Sequence, residues 1–202
     1  MNVRAAFSFV RDILFFYRTY HLSASTLDDV QMSDEPQLRN FTLSMISSRL
    51  KYDTLISEGY DFKPWHYKFT RRLSKGAIAQ CIFVEKELVY MSWIAINREG
   101  QKSLGEPPVK VNFTDNETIT GDFWTRPKYR GYGLAPYASG KRREFLKELG
   151  KTISKGAIRK DNVSSLKVRE KRTTKGNTRI YAEGRHLNIM GCKFWTETPV
   201  NN

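Results

Sequence analysis

Arg130-Gly131-Tyr132-Gly133-Leu134-Ala135 follows the extended, apolar run Phe123-Trp124-Thr125 and precedes a run with helical spacing. A strand, a glycine turn with basic flanks and then a helix gathers backbone N–H groups around a phosphate. Glycine lets the main chain approach an anion where a Cβ would stand in the way. The helix dipole adds positive potential at the same point. A phosphate-bearing ligand is therefore expected at residues 130–135. Other phosphate loops fit less well. A Walker A loop ends in Gly-Lys-Ser/Thr, and the residues from Pro136 onward supply no such ending. A dinucleotide fingerprint has its third glycine where Pro136 stands, and needs a parallel βαβ unit that this order of elements lacks.

Working outward, Glu117–Thr125 reads as a strand, with Gly121 marking a bulge or a close backbone approach. Ala77–Val84 and residues 87–97 are apolar on both faces, and Glu85-Lys86 between them suits a tight turn, so they form an antiparallel hairpin of buried strands. A helix begins near Leu134, with Pro136 in the first turn, where a missing N–H costs nothing, and Phe145, Leu146 and Leu149 as its apolar stripe. Residues 152–158 read as a strand, Asp161-Asn162 as the cap of a further helix, Gly176-Asn177 as a turn, and residues 179–187 and 192–195 as closing strands. Upstream, residues 27–32 read as a short strand. Asp34-Glu35-Pro36 opens a helix carried on by Leu38, Phe41, Leu43, Met45, Ile46 and Leu50. Residues 98–109, with Gly100, Gly105 and Pro107-Pro108, read as a loop. The fold class expected is mixed α/β, with a central, mostly antiparallel twisted sheet of about 6–7 strands flanked by helices.

The N-terminal stretch 5–22 is rich in Phe, Ile, Leu and Tyr, while Arg4, Arg11 and Arg18 recur every seven residues. That pattern reads as an amphipathic helical arm over residues 1–26, set apart from a domain over 27–202. The arm would pack on its own domain, mediate self-association as in a homodimer, or touch a membrane surface peripherally. It lacks the unbroken apolar stretch of a secretory signal, and no run of 18 apolar residues exists to span a bilayer, so a cytoplasmic location is expected. With 40% hydrophobic residues the chain of 202 can bury a real core, and a net charge of +13 calls for anionic partners. Cys81 and Cys192 sit in apolar, strand-like settings without a CxxC pattern and read as buried free thiols. His21, His66 and His186 lack metal-ligand spacing, so no metal is expected.

Arg130 to Ala135 fits [Arg/Gln]-x-x-Gly-x-[Gly/Ala] and resembles the pyrophosphate signature of the general N-acetyltransferase (GNAT) superfamily. Pro127, three positions before Arg130, and Asn162, four residues after Ile158, stand where that family has its strand-to-loop proline and its second cofactor segment. The resemblance covers about residues 77–200 and, loosely, 27–76. It implies an acyl-CoA N-acyltransferase fold, with acetyl-CoA as co-substrate. In the family, the strand before the loop splays from its neighbour and pantetheine fills the space. Phe123, Trp124 and Thr125 match that strand end, whose backbone N–H groups would hold pantetheine and polarise the thioester. Arg130, Gly131, Tyr132, Gly133, Leu134 and Ala135 would hold the diphosphate, and Asn162 would touch the cofactor further along. The family often carries its catalytic base on this strand, where Glu117 and Asp122 stand; strict alternation puts them on opposite faces unless a bulge near Gly121 resets the register. Arg169 occupies the position where many members carry a tyrosine that protonates the leaving thiolate. Either Tyr132, Tyr137 or Tyr181 would then serve, or the thiolate would leave with solvent help. Lys171-Arg172-Thr173-Thr174 replaces the family's Lys-x-Gly-Phe.

Two classes of function follow. One is an acyl-CoA-dependent N-acyltransferase moving an acetyl group to a primary amine of a small acceptor, an amino sugar or amino acid derivative, with Trp65, His66, Arg71, Arg72 and the 98–109 segment as candidates for acceptor choice. Longer acyl donors are a variant of it. The other is a basic nucleic-acid-binding protein without catalysis, resting on the charge of +13 and on clusters such as residues 167–175.

Overall fold

The computed structural model describes residues 15–28, 35–105, 107–167 and 178–200. In chain order its elements are β1 (Phe15–Thr26), β2 (Phe41–Ile46), α1 (Arg49–Ser57), α2 (His66–Leu73), β3 (Ala77–Val84), β4 (Glu87–Ala95), α3 (Arg98–Leu104), β5 (Glu117–Thr125), α4 (Leu134–Glu148), β6 (Ile153–Arg159), β7 (Thr178–Ile189) and β8 (Cys192–Pro199). The fold is mixed α/β and mostly antiparallel, as expected. The described residues divide into two compact units, one of residues 26–28, 35–105 and 111–155, the other of residues 15–25, 107–110, 156–167 and 178–200.

The first unit orders its strands β2-β3-β4-β5-β6. β2 to β5 are antiparallel, and β6 starts parallel to β5. The hairpin at its centre matches the sequence. Glu85 and Lys86 make its two-residue turn, both with positive φ, 49° and 68°, as a turn twisted with its strands requires. Alternation divides the core. Ala77, Ala79, Cys81 and Phe83 of β3 pack with Tyr52, Phe69 and Leu73 of α1 and α2. Ile82 and Ile78 point to the other face, against Leu134, Ala138 and Leu146 of α4. Both faces are buried, which is why β3 and β4 read as continuous apolar runs.

Several local readings are corrected. The helix expected over 34–50 is strand β2 followed by a helix that starts only at Arg49. Ser48 caps it, its side chain accepting from the Lys51 N–H, and the six residues of β2 instead find a ladder against β3. The 98–109 loop contains α3. Asn97 caps it through the Gly100 N–H at 2.7 Å, and Gly105 ends it at φ 92°. Residues 29–32 of the strand read over 27–32 lie outside the described ones, as does the Gly176-Asn177 turn.

In the second unit, the helical reading of the N-terminal stretch fails from Phe15 onward. Residues before it lie outside the described ones. Phe15–Thr26 is β1, paired antiparallel with β7, and β8 pairs with β7 in turn. Phe15, Phe16, Tyr17, Thr19 and Tyr20 are aromatic or β-branched, residues suited to a half-buried pleat. A partner more than 150 residues away overrides a seven-residue charge period. The six readings over 77–84, 87–97, 117–125, 152–158, 179–187 and 192–195 are strands; β1 and β2, both read as helix, bring the described total to eight. Cys81 is buried as expected, but Cys192 is exposed. Trp195 of β8 lies across Gly184 of β7, so a Cβ there would meet the Trp195 ring at 2.3 Å. Its ring also meets Tyr20 and His186 edge-on at 5.8 and 5.9 Å. Gly184→Ala should therefore cost about 1–3 kcal/mol, the usual range for overpacking, read as a lower midpoint in thermal unfolding; an unchanged midpoint would show that the ring moves aside freely.

Candidate active site

β5 pairs with β4 at Ala95↔Ile119, Ile94↔Thr120 and Trp93↔Gly121, then at Met91↔Trp124 and Tyr90↔Thr125. Between these runs two steps on β4 are matched by three on β5, so Asp122 and Phe123 together oppose Ser92 in a bulge. The sequence expectation of a bulge at Gly121 is displaced by one residue. Asp122 adopts φ 50°, a left-handed conformation that costs a non-glycine residue on the order of 1 kcal/mol. On its other edge β5 pairs with β6 through Glu117↔Ile153, Thr118↔Ser154 and Ile119↔Lys155, and no further. Beyond the bulge, Arg126 donates its N–H to the Val89 carbonyl at 2.8 Å. Strand alternation then turns the Thr125 N–H to the opposite edge.

The bulge is held from both faces of the sheet. On the α2–α3 face, Asp122 forms ion pairs with Arg72 and, at 3.0 Å, with Lys68. Arg72 is 8% exposed. It donates to the Ser103 and Leu104 carbonyls at 3.2 and 2.9 Å and lies over the Trp93 ring at 5.0 Å. Burial pushes the Asp122 carboxyl up, but the Lys68 hydrogen bond and the Arg72 charge outweigh it and hold the group below the usual carboxylate range. Lys68 also stands over Trp65, which meets Trp124 edge-on at 5.6 Å. Nearby, His66 Nδ1 and the Tyr52 hydroxyl are 2.7 Å apart. Burial, only partly offset by Arg49, pushes the Tyr52 hydroxyl up to about 12.

On the α4 face, Arg142 is 5% exposed. It donates to Gln80 Oε1 at 3.1 Å, Ser92 Oγ at 3.3 Å and Ser139 Oγ at 3.4 Å. Ser92 donates to Gln80 Oε1 at 3.0 Å, and Gln80 Nε2 to the Ala138 carbonyl at 2.7 Å. The exposed Phe123 ring lies 5.1 Å from the Arg142 guanidinium.

The glycine turn follows. Glu87, at the start of β4, collects Arg126 at 3.2 Å, Lys128 at 2.9 Å and the Tyr129 hydroxyl at 3.3 Å. The Lys128 hydrogen bond and the Arg126 charge, opposed by desolvation, hold the Glu87 carboxyl low. Arg130 donates from Nε to the Thr125 carbonyl at 3.3 Å. Gly131 and Gly133 have φ of 89° and 80°, and the exposed Tyr132 between them accepts the Gln37 N–H at 3.1 Å through its carbonyl. α4 then starts at Leu134 without a side-chain cap and without an acid in its first turn. Leu134 is buried, with Ala135 packed beside it.

Phe123, Trp124, Thr125, Asp122 and residues 130–135 thus lie consecutively on one strand, turn and helix start. Glu117 stands at the other end of β5, paired with Lys155 at 2.6 Å and accepting the Asn112 N–H at 2.7 Å. Asn162 belongs to the second unit. It caps the helical residues 163–167, its Oδ1 accepting from the Ser165 N–H at 3.1 Å and the Ser164 hydroxyl at 2.9 Å. Arg169 and residues 171–174 lie outside the described ones. Sequence reading missed the clamp. One signal was available: in α2 (HYKFTRRL), Phe69, Arg72 and Leu73 share the buried face, so Arg72 stands where an apolar residue belongs. Nothing local marks Gln80, Ser92 or Arg142 as one network. Among the described residues no group of three His, Cys, Asp or Glu side chains is placed to hold a metal ion, and no helix is long and apolar enough to cross a membrane.

No protein-family model matches the chain, and no curated protein does. Solved structures do. One is a Drosophila protein, 12% identical over 94% of this chain and 57% of its own, with a TM-score of 0.56. Another is a tandem GNAT protein from the clavulanic acid biosynthesis pathway, at 14% identity, 98% and 59% coverage and a TM-score of 0.55. A third is a GCN5-related glucosamine N-acetyltransferase region of a fungal multi-domain beta-N-acetylglucosaminidase, at 13% identity, 91% and 22% coverage and a TM-score of 0.53. The chain therefore spans between about a fifth and three-fifths of these three proteins' lengths. At such identities the likeness is one of fold.

The ion pairs of Asp122 carry a pH signature. Its folded carboxyl titrates below its unfolded value of about 3.9, so its stabilisation is present above that pH and lost as pH falls through the folded value. Asp122→Asn should lower the unfolding midpoint at pH 7, with the difference from wild type shrinking below about pH 4. A difference equally large at pH 3 would mean that the ion pairs are not its source.

Proposed function

We propose that this chain, which has the fold of the GNAT N-acetyltransferases, is an acyl-CoA-dependent N-acyltransferase that moves an acetyl group from acetyl-CoA to a primary amine of a small-molecule acceptor by direct transfer. One observation carries the reading: a bulged strand, two left-handed glycines and a helix start without a side-chain cap follow one another within residues 121–135. In this proposal the amides of Gly131, Tyr132, Gly133 and Leu134, with Ala135 closing the turn and Arg130 at its edge, hold the diphosphate. The strand end Phe123-Trp124-Thr125 holds the pantetheine arm through its backbone and polarises the thioester carbonyl. Asn162 is kept as a further cofactor contact on the family resemblance alone. When bound, acetyl-CoA supplies an activated acyl group.

The acceptor nitrogen then attacks that carbonyl, and a C–N bond replaces the C–S bond. The ammonium must first lose a proton, and two carboxylates are proposed to assist. Asp122 stands in the bulge itself, ionised, and suits orienting the amine or a water more than acting as a strong base. Glu117 is engaged with Lys155 at the far end of the strand and is the weaker candidate. The leaving thiolate is proposed to take its proton from solvent. On the α2–α3 face Lys68 and Arg72 outnumber Asp122, which favours an acceptor that carries an anionic group, such as a derivative of an amino sugar or amino acid.

The test is thermal unfolding with and without acetyl-CoA. At a hundredfold excess over Kd the ligand adds about 2.7 kcal/mol, which for a chain of this size raises the midpoint by about 5–10 °C. Gly133→Asp sets an anion against the diphosphate and should abolish that rise while leaving the fold intact. No rise in the wild type at millimolar acetyl-CoA, together with salt-dependent binding to bulk RNA, would replace this reading by the nucleic-acid one.

A further inference from the structure

We infer that Arg72 is a positioning residue for acyl transfer: through Asp122 it fixes the β5 bulge and so aims the strand-end amides at the thioester carbonyl. The inference rests on the acyl-CoA reading above, but concerns residues to which that reading assigns no such role. Asp122 is held at φ 50° in a conformation that glycine takes freely, and that aspartate takes only at a cost and with its short side chain hydrogen-bonded. Something must hold it there, and Arg72 is built to do so. Its Nε and Nη2 are fixed on two successive carbonyls, Ser103 and Leu104, at the end of α3, and its plane lies over Trp93. Its Nη1 is left to reach Asp122. A planar fork makes these three contacts at once, whereas an ammonium cannot. Trp93 is itself paired with Gly121, the residue before the bulge. Arg72 thus binds the two strands and α3 into one unit around the extra residue. Lys68 reaches the same carboxylate at 3.0 Å, but from a more exposed position and without a comparable anchor.

Two roles for Asp122 can be told apart. If the carboxylate is a tether, glycine at 122 can keep the bulge without it, and alanine cannot. If the carboxylate contacts the acyl group's environment directly, glycine and alanine fail alike. The probes are acetyl-CoA and free CoA, whose affinities differ by what the acetyl carbonyl contributes. Both are measured by calorimetry, with the infrared carbonyl stretch of bound carbonyl-13C-labelled acetyl-CoA as a direct report of polarisation. In the wild type acetyl-CoA should bind roughly fivefold tighter than CoA, the worth of one ordinary hydrogen bond, and its stretch should move to lower wavenumber. Arg72→Met and Asp122→Ala should bring the affinity ratio to about one and return the stretch to its free value, with acetyl-CoA affinity falling more than CoA affinity. Arg72→Lys should recover only part of the ratio. Asp122→Gly should keep it, alone and combined with Arg72→Met. If Arg72→Met proves unable to fold, Arg72→Lys decides: an unchanged ratio there overturns the inference. A wild-type ratio near one, an unchanged ratio in Asp122→Ala, or equal loss in Ala and Gly overturns the inference while leaving the cofactor assignment standing. Failure of the wild type to bind either nucleotide would instead overturn that assignment.

Discussion

Between Gly121 and Trp124 the strand β5 contains one residue more than β4 can pair, and much of the site follows from accommodating it. An extra residue in a buried sheet leaves main-chain polar groups out of register with their partners. The protein meets this with polar side chains where hydrophobic ones would otherwise stand. Ser92, opposite the bulge, is fully buried and joins Gln80 and Arg142. Arg72 approaches from the other face and takes the Asp122 carboxylate. Two buried guanidinium groups therefore flank one irregular turn of strand. Burying such charges is costly unless every donor finds an acceptor. Here carbonyls, an amide oxygen, hydroxyls and one carboxylate supply them.

The turn after β5 is organised by a different anion. Glu87 draws Arg126, Lys128 and Tyr129 to the start of β4, so two cations beside the glycine turn are engaged in anchoring the loop. What the turn presents is mainly backbone: two glycines in left-handed conformation and a helix start that no side chain caps. Backbone donors are fixed by the fold and need no side-chain ordering when a ligand arrives, which suits the diphosphate proposed for this turn.

How far the residues announced this structure depended on how local the governing interactions are. The β3–β4 hairpin was legible because its alternation, its length and its Glu85-Lys86 turn all act within 20 residues. The strand, glycine turn and helix of residues 117–148 were legible for the same reason, as was the capping Asn162. Residues 15–22 and 41–46 were read as helix because their charge and apolar spacings are compatible with one. Their actual partners, β7 and β3, lie elsewhere in the chain, and ladder pairing outweighs a weak local period. α3 was missed because its glycines drew more weight than its Asn97 cap.

Sequence alone determined that a glycine turn joins a strand to a helix at residues 130–135, since glycine and proline restrict the backbone wherever they occur. It also determined that the central hairpin is buried on both faces, because only such a strand is apolar at every position. Tertiary structure alone decided which cations meet which carboxylates: that Arg72 reaches Asp122 across 50 residues of chain, and that Arg142 lies beneath Phe123 instead of in solvent. Charge carries no address in one dimension. Its partner is chosen only when packing has brought distant segments within a few ångströms and excluded the water that would otherwise screen them.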